Sequence, residues 1–179
     1  MNEHIISVQE VRDMGRPISP KIDEEKLQSY IYETERLTLK PMLGDELFKR
    51  LVTMETDETK GLTEEALDII LNGGEYTDCR GRLHIVSGLK VAVSYFVYAQ
   101  YVMDGDFQLT RAGVVVKDGA YSQHVSSKER SDCYNNALTA ARGFLDEVVS
   151  FIRRKLPAYT VNGRAGSSLH KSIIIKKIG

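Results

Sequence analysis

Hydrophobic positions recur at helical spacing through most of the chain, and short breakers separate the runs. Ser7-x-x-Glu10 reads as a capping box opening a short helix that Gly15 can end, with Arg16-Pro17 forcing an extended exit. Asp23 caps a second helix, with Ile22 and Leu27 as its hydrophobic staple. Leu27, Tyr30, Ile31, Thr34 and Leu37 form its predicted buried stripe, and Lys40-Pro41 is expected to stop it. A third segment runs from Asp45 to about Met54, with Leu47, Leu51 and Phe48 on one side. Thr63 caps a fourth, whose Ala66, Leu67, Ile70 and Leu71 face inward until Asn72-Gly73-Gly74 breaks it.

The fifth predicted helix, from about Arg82 to Met103, is apolar almost all round. Ile85, Val86, Leu89, Val93, Phe96 and Val97 mark one side and Val91, Tyr95, Tyr98 and Val102 others, so several faces should be buried. Tyr95, Tyr98 and Tyr101 recur at three-residue spacing, which suits a core rim or a protein interface.

After Asp104-Gly105-Asp106 the pattern becomes β-favouring, with Phe107-Gln108-Leu109-Thr110 and Val114-Val115-Val116-Lys117 flanking Arg111-Ala112-Gly113. A hairpin or two short strands is expected, needing a helix face or a neighbouring chain for support. Ser126-x-x-Glu129 opens a long sixth helix to about Leu156, with Ala137, Leu138, Ala141, Leu145, Val148, Val149 and Ile152 as its stripe. Beyond Pro157, Ala158 to Ser168 reads as a flexible connector, and Ser172 to Ile178 as a strand of high β propensity. Such a strand needs a partner in the same chain, a neighbouring copy or another protein. The expected fold is mainly α: about six helices in a bundle over residues 1–156, a small protruding β element at about 107–117, and an extended C-terminal arm at 157–179.

Composition bounds this picture without changing it. At 179 residues, 42% hydrophobic and 27% charged, the chain has the size and balance of one globular domain. Two cysteines, Cys79 and Cys133, make neither a disulfide framework nor a CxxC zinc pair. The first residues lack the order of a secretory signal, and the longest charge-free apolar run, Val91 to Met103, is too short for a bilayer. A soluble, intracellular protein with no membrane contact is expected.

Charge adds more. Residues 1–78 hold 18 acidic against 9 basic residues, and residues 79–179 hold 7 against 15, so net −9 gives way to net +8. That polarity favours head-to-tail self-association by steering; an ordinary polar surface is the alternative.

Catalytic patterns are weak. Ser168-x-x-Lys171 stands without its companion motifs, and Gly163-Arg-Ala-Gly166-Ser-Ser lacks phosphate-loop spacing. His4, His84, His124 and His170 form no ligand motif, Asp104-x-Asp106 lacks the rest of a calcium loop, and of the candidate nucleophiles Cys79 and Cys133 the latter sits in the first turns of a helix with no His at helical spacing. Neither enzyme activity nor a metal or cofactor is expected. The basic tail lacks the aromatics of a nucleic-acid stacking platform.

Five segments occur in order: Ser7 to Ser19 (SVQEVRDMGRPIS), Leu39-Lys-Pro-Met-Leu-Gly-Asp45, Leu71-Asn-Gly-Gly-Glu-Tyr76, Thr110-Arg-Ala-Gly-Val-Val-Val-Lys117 and Lys128-Glu-Arg130. Over roughly residues 5–156 the chain resembles small helical proteins of tailed bacteriophages of Bacteroidetes-type hosts, including crAss-like phages, that act as head–tail connector (neck ring) proteins. The resemblance implies a virion protein made in the host bacterial cytoplasm and assembled as a ring, a dodecamer in that family. It further implies contact with the portal and an adjacent neck or tail ring, and transient non-specific contact with channel DNA. Thr110, Arg111, Gly113, Val114, Val115, Val116 and Lys117 are the expected subunit interface. Ile173, Ile174, Ile175, Lys176, Lys177 and Ile178 are the expected partner-binding arm, argued from strand physics alone. The rival reading is a small nucleic-acid-associated regulatory protein, which requires a basic face on the folded domain; a small enzyme comes third.

Overall fold

Leu89–Asp104 forms α6, and its nearly all-round apolarity is why it sits at the centre of the fold. In the computed structural model, which describes residues 4–104, 107–110, 113–116 and 126–162, α6 packs on α1 (Val8–Met14), α2 (Glu24–Glu33) and α5 (Glu64–Asn72). Its most extensive neighbour is α7 (Ser127–Lys155), which buries Ala137, Ala141, Leu145, Val148, Val149, Phe151 and Ile152. The fold is mainly helical, as the sequence predicts.

The helix starts are set by the predicted caps. Ser7 and Ser126 each form a full capping box, with Glu10 and Glu129 reaching back to the cap amide at 2.9 Å. Asp23 accepts from the Glu25 amide, and Thr63 from that of Ala66. Tyr95, Tyr98 and Tyr101 lie half-buried at the core rim: Tyr95 meets Phe144 edge-on at 5.1 Å and Tyr101 meets Tyr30 at 6.3 Å.

Pro41 does not stop the second helix. The chain continues through a widened π-helical turn, Thr34–Leu39, into α3 (Lys40–Leu43), with Lys40 N–H donating to the Glu35 carbonyl five residues back. A proline ring clashes with the carbonyl four residues upstream in a regular helix, and the extra residue in the turn relieves that clash. The same insertion rotates the buried face by one position. Leu39 is therefore buried, and Leu37, expected in the stripe, is 73% exposed. Gly44 then turns the chain into α4 (Asp45–Thr53), which buries Leu47, Phe48 and Leu51.

The π-helical turn also carries Glu35 into the core, where its side chain is 1% exposed. Its carboxylate accepts from the Ile5 amide at 2.7 Å and lies 2.9 Å from His4 Nδ1. A buried carboxylate left without donors is costly, so these bonds hold the chain start against the bundle, where Ile5 and Ile6 are buried.

Residues 82–88 are not the first turns of the fifth helix. Gly74–Thr77 (β1) and Leu83–Val86 (β2) pair antiparallel, Tyr76 opposite His84 and Glu75 opposite Ile85, and α6 starts only at Leu89. Ile85, assigned by the sequence to a helical stripe, is 69% exposed on β2. Gly73 and Gly88 frame this hairpin at φ +89° and +90°. A Cβ on Gly88 would fall 2.6 Å from the Gly73 nitrogen, and one on Gly73 would fall 2.6 Å from the Val86 carbonyl oxygen. The one expected β element, at about 107–117, is present as β3 (Phe107–Thr110) and β4 (Gly113–Val116), antiparallel with Thr110 opposite Gly113.

The connector predicted from Ala158 is not free at its start. Leu156, Tyr159 and Val161 are buried, and the Asn162 amide donates to the Met42 carbonyl at 2.8 Å. The boundary of the helical body therefore lies at least at Asn162 rather than Leu156. Ile173, Ile174, Ile175, Lys176, Lys177 and Ile178 lie outside the described residues.

Two stability predictions follow from this geometry. Gly88→Ala meets immovable backbone and should cost at least about 2 kcal/mol, whereas Gly81→Ala, at φ +76° with nothing within 4 Å, should cost only the left-handed penalty of about 1–2 kcal/mol; urea unfolding of both variants compares them. At a dilution where the chain is monomeric, a chain ending at Asn162 should match the full chain in urea midpoint, while one ending at Leu156 should lose about 3 kcal/mol with the burial of Tyr159 and Val161.

Candidate functional site

The densest polar constellation gathers on the β1–β2 hairpin, held there by the turn chemistry of residues 78–82. Asp78 Oδ1 accepts from the Arg80 and Arg82 amides, both at 2.9 Å, while Oδ2 meets Arg82 Nε and His84 Nε2, both at 3.1 Å. The Arg82 amide, the His84 ring, the Arg80 amide and the Arg82 guanidinium together hold the Asp78 carboxyl well below the usual carboxylate range, against the opposing pull of burial.

Alternation along the two strands separates two faces. On the inner face His84 stacks on Tyr76 with centroids 5.0 Å apart, and Tyr76 meets Phe151 of α7 edge-on at 4.9 Å. Arg154 Nη1 lies 3.2 Å from the Tyr76 hydroxyl and against the imidazole edge of His84, 2.8 Å from Nε2 and 3.2 Å from Nδ1. Ser87 completes the clamp, its amide and hydroxyl both donating to Glu147 Oε2 of α7 at 2.9 and 2.8 Å.

The outer face carries Glu75, Thr77, Leu83 and Ile85, with Leu83 62% and Ile85 69% exposed. Two positions apart on β2, they stand side by side on this face. Between β1, α5 and the end of α7 runs an open groove of about 560 Å³, floored by Ala66, Ile69, Tyr76 and Phe151. Beyond the turn is a hollow of about 480 Å³ lined by Arg80, Arg82, Arg154 and Lys155 with Asp78 and Cys79. Four cations gather there around one carboxylate that already has four donors.

This constellation draws on residues from both charge halves of the chain. Of the residues expected to form the subunit interface, Thr110 ends β3 and Gly113, Val114, Val115 and Val116 form β4. Arg111 and Lys117 lie outside the described residues. The sequence hides the Asp78, His84 and Tyr76 cluster because residues 82–88 fit the start of a helix. The period-two spacing of Arg82, His84 and Val86 against Leu83 and Ile85 was its only signal.

Among the described residues, no three His, Cys, Asp or Glu side chains gather as a metal site. Cys79 is exposed and Cys133 half-buried, its sulfur 3.6 Å from the Tyr98 hydroxyl. His84 and Asp78 make an imidazole–carboxylate pair, but the described residues show no hydroxyl or thiol nucleophile hydrogen-bonded to that ring. Among them, too, no helix is long and apolar enough to cross a membrane.

A family model described as a family of unknown function (DUF6712) matches residues 39–168, a span that includes both hairpins, α6 and α7. No curated protein and no solved structure matches the chain.

The depressed Asp78 carboxyl sets a pH dependence. Its contribution to stability is fully present above the unfolded-state value near 4 and is lost as pH falls below it. Urea midpoints measured from pH 5 down to pH 2 should therefore converge for the wild type and Asp78→Asn; parallel curves would show that the turn bonds contribute nothing.

Proposed function

We propose a structural role for this chain, which belongs to the DUF6712 family: it is a ring-forming subunit of a phage head–tail connector, without enzyme activity. The observation that carries the reading is the outer face of β1–β2, where Leu83 and Ile85 stand exposed on a sheet of two strands. Burying each fully is worth about 1.5–3 kcal/mol, so repeated contacts of this kind support a closed assembly.

Charge polarity supports the same reading. The Arg80, Arg82, Arg154 and Lys155 hollow belongs to the basic part of the chain, whereas α2 and α5 start on acidic residues, Glu24 and Glu25, and Glu64 and Glu65. A basic patch meeting an acidic face of the next copy repeats head to tail, and a ring is the closed form of that repeat. The resemblance to neck proteins supplies the remainder of the proposal: about twelve copies, a portal above, another ring below, and DNA passing through the channel.

A second reading has one observation in its favour. The basic hollow is the face that a nucleic-acid-associated regulatory protein requires, and phosphate contacts there would draw on the same four cations. Oligomeric state separates the two.

Native mass spectrometry of the purified full chain should give a closed oligomer of many copies. Leu83→Asp and Ile85→Asp should shift it toward monomer while leaving the helical circular dichroism of the chain unchanged, since both positions are exposed. A monomer or dimer at micromolar concentration, unchanged by either substitution, would sink the ring reading in favour of the regulator.

A further inference from the structure

The free edge of β1 and the groove beside it form an incomplete β-sheet site. The Asp78 amide donates to the Arg82 carbonyl at 2.9 Å, which makes positions 78 and 82 a hydrogen-bonded pair. Alternation along an antiparallel ladder makes Tyr76 with His84, and Gly74 with Val86, the next such pairs. Glu75 and Thr77 therefore turn their amide and carbonyl groups away from β2, and among the described residues no strand pairs with them there. Below this edge lies the apolar floor of Ala66, Ile69, Tyr76 and Phe151, and Glu65 and Glu75 also line the groove. Lys155 lines it too, its ammonium 5.8 Å over the Tyr76 ring.

We propose that Ser172 to Ile178 of a neighbouring copy completes this sheet as a third strand, an inference that rests on the ring reading above. The segment Ser-Ile-Ile-Ile-Lys-Lys-Ile matches the site in both chemistry and period. In an extended strand Ile173, Ile175 and Lys177 share one face, which faces the groove beside Tyr76 and its lining carboxylate Glu65. Ile174, Lys176 and Ile178 share the other, which extends the outer face of Leu83 and Ile85 and brings a lysine to Glu75. Glu65 and Glu75 complement the Lys171, Lys176 and Lys177 ammoniums. The main chain of Glu75 and Thr77 supplies the ladder bonds, as in other cases of strand addition.

The ring reading makes a neighbour the donor, and the path of the chain allows it. From Tyr159, whose hydroxyl donates to Asp57 at 3.4 Å, the backbone runs past Gly44 to the Met42 carbonyl at Asn162, and neither Gly44 nor Met42 lines the groove. Residues 163–172, fully extended, reach about 33–36 Å beyond that anchor, enough to leave the subunit.

Disulfide trapping in the full chain tests this, in a Cys79→Ser, Cys133→Ser background. A tagged Thr77→Cys chain is mixed with an untagged Ile174→Cys or Ile178→Cys chain and oxidised. Cysteines at 77 and 174 meet if the added strand is antiparallel, and at 77 and 178 if it is parallel. The expected result is a tagged–untagged disulfide at one of those two positions, formed about tenfold more than with Ile175→Cys on the opposite face. Oligomers by native mass with no such disulfide overturn the strand proposal and leave the ring intact. A disulfide formed inside one monomeric chain carrying both cysteines overturns the exchange between copies. Monomers with no disulfide overturn the strand proposal and the ring together.

Discussion

Backbone against backbone at Gly73 and Gly88 is the contact on which the rest of the molecule depends. The chain leaves α5 at one glycine and enters α6 at the other, and the two pass so closely that no Cβ fits at either. Everything between them is thereby fixed as a hairpin beside the two helices rather than a loose loop. The Ser87–Glu147 bonds then press that hairpin onto α7, and the Tyr76–His84 stack seats on Phe151. The basic hollow, the groove and the exposed Leu83–Ile85 face all inherit their positions from this crossing.

A second constraint acts at the turn that joins α2 to α3. Proline inside a helix is usually disruptive, yet here it coincides with a widened turn that carries Glu35 inward and Leu37 out. Burying a carboxylate stabilises nothing by itself. What Glu35 confers is specificity of docking, because only a chain start that presents the Ile5 amide and His4 satisfies it.

These two places also explain what the sequence made legible. The caps at Ser7, Asp23, Thr63 and Ser126 were readable because a side chain three or fewer positions away satisfies the orphan amides, a purely local matter. The long amphipathic stripe of α7 was readable for the same reason of regular period. Residues 82–88 were not, since Leu83, Ile85 and Val86 fit a helical stripe as readily as a strand, and only the remote approach of Gly73 to Gly88 decides between them. The candidate site went unread with them, because Asp78, His84 and Arg154 meet only once that hairpin is built. Tyr159 and Val161 were likewise hidden: their apolar character is evident, but their partners lie about a hundred positions upstream.

The same distance has a kinetic meaning. Asn162 bonds to the carbonyls of Pro41 and Met42, and Tyr159 bonds to Asp57, contacts that span 121 and 102 residues of chain. Such long loops close late, since their entropy must be offset by contacts already in place. The short helices of the first half can form early, but the turn at Asp57 and the end of α3 stay unsealed until α7 has been laid down and residues 156–162 fold back over them. The molecule therefore has a latch rather than a seam, shut by Tyr159 and Asn162 once α7 is in place.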